Sequence, residues 1–100
     1  MRSTRRLLRV NIQRKKKFDK QLHRLVKEKP NMLDQVEKTL DALLRYPPPH
    51  PSLRMKHIQG TDGLFECSVN MDIRITFEFA ATDTILLRNI DHHDDALKQP

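Results

Sequence analysis

The C-terminal region of the chain holds a dense group of side chains that can transfer protons or bind metal ions. His92, His93, Asp94 and Asp95 follow one another, and imidazole and carboxylate groups serve both as metal ligands and as general acids or bases. A zinc site is not indicated, because the chain has one cysteine, Cys67, and neither a CxxC nor an HxxxH spacing. No strand pattern carries the carboxylate cluster expected of a magnesium site. We therefore predict no metal and no other cofactor.

Arg74 lies in the clearest strand pattern of the sequence. Apolar residues at 73, 75, 77 and 79 alternate with Arg74, Thr76 and Glu78, which predicts one apolar and one polar face. A planar guanidinium on the polar face can hold two phosphate oxygens at once. An ion pair between Arg74 and either Glu66 or Glu78 is the structural alternative.

Three more residues are candidates for the same site. Lys56 shares a predicted polar face with Arg54, so that its ammonium group can stabilise negative charge. Alternation points His57 inward, which favours a partly buried structural histidine, although a direct catalytic role stays open. Asp72 comes just before the central strand, where it either caps a turn or takes part in catalysis.

The charge of the chain is strongly segregated. Residues 1–30 contain twelve Lys and Arg against two acidic residues, a balance of +10, whereas residues 31–100 have a balance of −4. Segregation of this kind indicates a polyanionic partner, although basic residues that only keep a small protein in solution are the alternative. The residues predicted to contact RNA or ribosomal phosphates are Arg14, Lys15, Lys16, Lys17, Lys20, Arg24 and Arg54.

Periodicity predicts two helices after one short strand. Leu7–Gln13 alternates as a strand, and Phe18, Leu22, Leu25 and Val26 then form one apolar stripe of a helix that ends near residue 29. Pro30 separates it from a second apolar helical pattern over residues 32–44, which the prolines at 47–49 terminate. The result is a helical hairpin.

From residue 51 the period changes to two, which predicts four strands joined by short turns and a short helical turn after His92. Connections this short require antiparallel neighbours. We predict one α+β domain over residues 1–100 with the order β-α-α-β-β-β-β. In this two-layer fold, the helical hairpin packs on one face of a mainly antiparallel, four- to five-stranded sheet, and the other face is polar and open.

The sequence resembles the RelE/ParE superfamily of toxins, and within it the RelE and YafQ-like mRNA-cleaving toxins. Four stretches, in the expected order, carry the resemblance: residues 17–25 (KFDKQLHRL), 51–60 (PSLRMKHIQG), 72–77 (DIRITF) and 87–95 (LRNIDHHDD). The resemblance implies the RelE-like microbial RNase fold. It also implies a metal-independent endoribonuclease that cuts messenger RNA on the ribosome and is controlled by a cognate antitoxin.

The resemblance also assigns site residues. Arg74 corresponds to the strand arginine, His93 to the C-terminal histidine, Lys56 to the basic or histidine position before the loop glycine, and Asp72 to the acidic residue before the central strand. The sequence departs from the pattern at the position after the second aspartate, where many members have Leu followed by Tyr or Phe and this chain has Ala96-Leu97. It also has Ser68 where YafQ-like members have a histidine.

The ParE-like branch, whose members bind and inhibit DNA gyrase without catalysis, is the alternative function, and a degenerate toxin or a plain nucleic-acid-binding domain is a further one. His93-Asp94 favours the nuclease, because the gyrase inhibitors generally lack this pair. The expected partners are an antitoxin, the ribosome and messenger RNA, with no membrane and no small-molecule cofactor. The single cysteine and the absence of a secretory pattern or a long apolar run predict a cytoplasmic protein.

Overall fold

The computed structural model describes residues 10–45 and 50–100. Its helices are α1 (Lys16–Glu28), α2 (Met32–Leu44) and α3 (His93–Lys98), with a 3-10 turn at Pro51–Leu53. Its strands are β1 (Asn11–Arg14), β2 (Lys56–His57), β3 (Leu64–Ser68), β4 (Ile73–Ala81) and β5 (Thr84–His92). The predicted element order is confirmed, including the short helical turn near the C-terminus. The part of the predicted first strand before residue 10, and the prolines at 47–49, lie outside the described residues.

The helices α1 and α2 form a hairpin because each has one apolar face and a proline interrupts the chain between them. Phe18 and Leu25 of α1 are buried, as are Val36 and Leu43 of α2, and the seven-residue spacing puts each pair on one side of its helix. Pro30 cannot donate a main-chain hydrogen bond, so α1 cannot continue through it. No helix within residues 10–45 and 50–100 has the length and apolarity to cross a membrane.

The strands form a five-stranded sheet in the order β1-β5-β4-β3-β2. All neighbours are antiparallel except β1, which pairs in parallel with β5. This parallel pair is possible because the helical hairpin and the other strands separate β1 from β5 along the chain. The predicted α+β fold with a mainly antiparallel sheet is therefore confirmed.

The predicted core of the sheet is also present. Ile73, Ile75 and Phe77 of β4 are buried in one apolar cluster with residues of both long helices, and Phe79 packs against that cluster at its edge. Since side chains alternate along a strand, this packing turns Arg74 and Glu78 to the opposite, polar face. The core thus sets the direction in which Arg74 points.

The strand alternation that predicts one shared polar face for Arg54 and Lys56 does not hold in the structure. The 3-10 turn ends at Leu53, and the left-handed backbone of the next residue, Arg54 (φ 46°), breaks any strand there. Strand β2 comprises only Lys56 and His57. Arg54 and Lys56 therefore do not alternate along one strand as predicted. Both side chains are nevertheless exposed.

The polar face is less open than predicted, because the C-terminal segment folds across it. Arg88 Nε and Thr76 Oγ1 donate to a main-chain oxygen of Pro100 over 2.9 and 3.1 Å, and Asn89 Nδ2 donates to the carbonyl oxygen of Gln99. A bulge at Arg88, which is skipped in the β4–β5 register, turns Arg88 toward this segment. The uncovered part of the polar face thus lies where β4 begins and β5 ends.

Candidate active site on the polar face of the sheet

Arg74 is held from several sides at the start of β4. Its Nη1 donates to the carbonyl oxygens of Asn70 (2.6 Å), Met71 (3.2 Å) and Ile73 (3.3 Å), and its Nε lies 3.6 Å from Glu66 Oε1. Its side chain is only 16% exposed. Within the described residues, Nη2 has no hydrogen-bond partner, so this edge of the guanidinium can bind an anion without breaking a contact.

Glu66 is the acidic partner of Arg74, whereas Glu78 pairs with Arg88 instead. The Glu66 side chain is 5% exposed, and its Oε1 has no hydrogen bond in the described structure. A buried carboxylate is costly unless a cation lies beside it. Glu66 therefore helps to hold the guanidinium in place. The sequence predicted this role only as one of two possible ion pairs.

His93 reaches the same place from the C-terminal side. It is the first residue of α3, its main-chain N–H donates to the carbonyl oxygen of Asp72 (2.7 Å), and its Nδ1 lies 3.3 Å from Asp94 Oδ1. The side chain is 43% exposed. The contact with Asp94 involves one ring nitrogen and leaves Nε2 able to exchange a proton with a ligand.

Arg74, His93 and Asp72 line one cavity of about 450 Å³ at the end of the polar face. Met71, which is 87% exposed, stands at its rim. The structure thus brings together three of the five predicted catalytic residues. A cation, an imidazole and a carboxylate around one opening can bind a phosphate and move protons to and from it.

The turn that presents Asp72 is capped by Asn70 and not by Asp72, as the turn-capping alternative would require. Asn70 Oδ1 accepts from the main-chain N–H groups of Asp72 and Ile73, both over 2.8 Å, and Asn70 Nδ2 donates to Gln35 Oε1 (2.8 Å) on α2. The Asp72 side chain is exposed and is left free for the cavity. An asparagine between two strand patterns was the sequence signal for this cap.

Lys56 and His57 are not brought to this cavity, since they lie on β2 at the far edge of the sheet. Lys56 stands opposite Glu66 in the β2–β3 pairing, and His57 stands opposite Phe65 with the ring centroids 5.5 Å apart. The His57 ring contacts Phe65, but the predicted partial burial is wrong, because His57 is exposed. No described contact gives His57 a part in the site.

The predicted phosphate-binding residues form a basic surface on α1 and the residues before it: Arg14, Lys15, Lys16, Lys17, Lys20 and Arg24, all of them exposed. Arg14 makes an ion pair with Asp19 over 3.1 Å. The helix starts beside Leu87, whose carbonyl oxygen accepts from the N–H of Lys15, and its last turn reaches a cavity that His92 also lines. The helix that carries this basic surface therefore runs along β5 toward His92, on the face of the sheet opposite to Arg74. Arg54 is exposed on the separate 3-10 loop.

Cys67 is close to this site but is not reactive. It is fully buried in the core, and burial, followed by the nearby Glu66 charge, raises the pKa of its thiol to about 12 despite the opposing effect of Arg74. A thiol in this state is not a nucleophile at neutral pH. Among the described residues, no group of three or more His, Cys, Asp and Glu side chains is arranged to hold a metal ion.

No protein-family model and no curated protein matches the chain, but solved structures do. A chain of the E. coli DinJ-YafQ toxin-antitoxin complex superimposes with a TM-score of 0.72 at 12% identity, over 87% of this chain and 96% of that chain. The YoeB dimer from Staphylococcus aureus gives 0.71 at 13% identity, over 85% and 98%. A metal-bound toxin from Helicobacter pylori gives 0.64 at 23% identity, over 86% and 97%.

These likenesses confirm the fold that the sequence predicted, which is that of the RelE-like toxins. They cover nearly the whole length of each toxin, so the match is to the complete fold and not to one motif.

Proposed function

We propose that this protein is the toxin of a type II toxin–antitoxin system and that it is an endoribonuclease that cleaves messenger RNA on the ribosome. The observation that carries the proposal is the common cavity of Arg74, His93 and Asp72, with Arg74 Nη2 unoccupied by any described residue. The similar toxin folds support the toxin role.

RNA supplies its own nucleophile, the 2′-OH, so the protein must move two protons and stabilise the phosphorane. In the proposed reaction the Asp72 carboxylate accepts the 2′ proton, and the 2′ oxygen forms a bond to phosphorus. The bond from phosphorus to the 5′ oxygen breaks, and protonated His93 gives its proton to that oxygen. The products are a 2′,3′-cyclic phosphate and a 5′-OH end.

Arg74 stabilises the charge that builds up on the phosphorane oxygens. Because Glu66 and three carbonyl oxygens already fix the guanidinium, little reorganisation is needed when the substrate arrives. Asp94, beside Nδ1, orients the His93 ring. The basic surface on α1 supplies affinity for phosphates that does not depend on sequence.

Its expected partners are the ribosome with its message and a cytoplasmic antitoxin whose acidic segment covers the basic surface. Arg54 remains a predicted contact to RNA or ribosome. Lys56 and His57, which the sequence predicts as catalytic residues, lie on β2 outside the Arg74 cavity, so the proposed reaction assigns them no step.

The test is in vitro translation with primer-extension mapping of the message. The wild-type chain is expected to stop synthesis and to leave cut messages, whereas His93→Ala is expected to leave them intact. His50→Asn is the matched control, because it removes an exposed imidazole outside the cavity. The asparagine side-chain oxygen can still accept the hydrogen bond that the main-chain N–H of Ser52 donates to His50 Nδ1.

Intact messages with wild-type protein would contradict the nuclease proposal. A supercoiling assay run in parallel would then identify the gyrase inhibitor, the alternative within the same fold. Cleavage of free RNA at the same rate as translated RNA would contradict the ribosome dependence alone.

A further inference from the structure

A second cavity, of about 510 Å³, lies between the turn of the helical hairpin and the turn that precedes β4. Its floor is apolar, since Leu25, Met32 and Ile73 are all buried core residues. Its rim is polar and includes Lys29 and Gln35. An apolar floor with a few polar groups around it, in a volume of roughly 300–1,000 Å³, is typical of a site for a small organic group.

This second cavity adjoins the candidate active site. Asp72 and His92 line both of them. Ile73, in the floor of the second cavity, and Arg74, in the active site, are consecutive residues of β4 and point to opposite faces of the sheet. The two cavities therefore lie on the two sides of one strand end and meet at Asp72 and His92, so a chain molecule bound at Arg74 can reach the second cavity around this end.

The part of an RNA strand that fits such a cavity is a base. Unpaired bases are held by contacts to their flat faces and by hydrogen bonds to their edges. The Met32 sulfur is polarisable and makes favourable contacts with aromatic rings. Gln35 uses its Oε1 to accept from Asn70, which leaves its NH2 group as a donor for an acceptor on the base edge.

No Phe side chain among the described residues is available for this purpose. Phe18 and Phe77 are fully buried, and Phe65 and Phe79 pack edge to face with each other, 5.5 Å between centroids. Ala96, at the position where the C-terminal pattern departs from that of the toxins, is buried as well. The ring that lines both cavities is that of the exposed His92, and the second cavity adds an apolar floor for a base beside the reactive phosphate.

We propose that the second cavity binds an unpaired RNA base next to the phosphodiester held at Arg74, and that the Gln35 amide reads the edge of that base. The inference rests on the proposed function and names the part of the substrate that sets sequence preference. Gln35 is a specificity-determining residue in this scheme and takes no part in the chemical step.

The first experiment maps cut sites on messages of random sequence for the wild type, Gln35→Glu and the control Glu37→Gln on the same helix. Gln35→Glu keeps an oxygen to accept from Asn70 but loses the donor. It is expected to change the base preference at one position beside the cut by roughly three- to tenfold. Glu37→Gln, whose side chain is exposed outside the cavity, is expected to keep the wild-type preference. If Gln35→Glu cuts with the same base preference as the wild type, the base-site inference is overturned, whereas the proposed nuclease activity still stands.

The second experiment does not depend on cleavage. NMR spectra of the wild-type chain are recorded while 2′-deoxy dinucleotides, which lack the nucleophile, are added. Shifts at the Gln35 side-chain amide and the Met32 methyl group are expected, and they would support the base site even if translated messages stay intact. Shifts confined to the basic surface, with none at the Gln35 amide or the Met32 methyl group, would overturn it.

Discussion

The main-chain N–H of His93 donates to the carbonyl oxygen of Asp72 over 2.7 Å, and this bond ties the first residue of α3 to the turn before β4. It continues the pairing of Ile73 with His92 by one step beyond the two strands. The imidazole and the carboxylate of the candidate site are therefore joined by one main-chain hydrogen bond and do not depend on separate loops.

Replacing Asp72 with Asn tests the proposed base. The substitution keeps the main-chain contact to His93 and removes only the ability of the side chain to accept a proton, so cleavage is expected to fall about 10²- to 10⁴-fold with unchanged stability. Rates of message cleavage and a denaturation curve provide the measurement. Asp62→Asn, in an exposed turn away from the cavity, is the control. Cleavage at the wild-type rate would exclude Asp72 as the base.

Arg74→Lys is expected to lower mainly the cleavage rate, whereas Arg74→Ala is expected to lower the stability as well. Lysine keeps the positive charge beside Glu66 but lacks the planar fork, so cleavage is expected to fall about 10²- to 10³-fold. Alanine leaves Glu66 buried without a cation and removes the donor to three carbonyl oxygens, which is expected to cost about 3 kcal/mol of unfolding free energy. Urea denaturation measures the second effect, and equal stability of the two variants would contradict this account of the site.

The double substitution Arg74→Met with Glu66→Leu separates folding from catalysis. Apolar residues of similar size often replace a buried ion pair at little cost, so the free energy of unfolding is expected to return to within about 1 kcal/mol of the wild type. Cleavage is expected to be absent, because the guanidinium is gone. A stable double variant that still cuts messages would show that Arg74 serves the fold alone.

The affinity for RNA is expected to fall steeply with salt. The combined substitution Lys16→Gln, Lys17→Gln and Lys20→Gln is expected to weaken binding. It is also expected to flatten the plot of log affinity against log salt by about 0.7 for each phosphate that the protein no longer neutralises. Lys38→Gln on α2, an exposed lysine outside the basic surface, is the control. A slope unchanged by the triple substitution would place the phosphates elsewhere.

Cys67 is expected to resist alkylation in the folded protein. With its pKa raised to about 12 by burial, almost no thiolate exists at pH 8, whereas the thiol of the unfolded chain has the ordinary pKa of 9.0. The raised pKa means that the folded state binds the proton more tightly, so this contribution to stability is present below pH 9 and is lost as the pH rises toward 12. Iodoacetamide labelling with and without urea measures the reactivity of the thiol. Rapid labelling of Cys67 without urea would contradict its burial.

The part of the site that could be predicted from sequence is the part that rests on strand alternation. The pattern around Arg74 is long and regular, because the core fills one side of β4, and it gives the correct face. The same reasoning failed for Arg54, since the left-handed backbone there interrupts a segment that only resembles a strand. Two-residue strands such as β2 carry too few residues for a period to be read.

The covering of the polar face could not be predicted from the sequence for a different reason. The C-terminal segment is held there by main-chain oxygens of Gln99 and Pro100, and every residue type supplies such an oxygen. The bulge at Arg88 likewise has no glycine to mark it. Both features depend on the register of β4 with β5, which the sequence pattern does not give.

Because α3 is short, His93 is expected to be held in the site less firmly than Arg74. A six-residue helix is marginal by itself, whereas β4 is hydrogen-bonded on both sides within the sheet. Amide hydrogens around His93 are therefore expected to exchange with solvent through local opening, and those of β4 only through global unfolding. The imidazole is therefore expected to leave the site by local opening of α3 more often than the guanidinium leaves it.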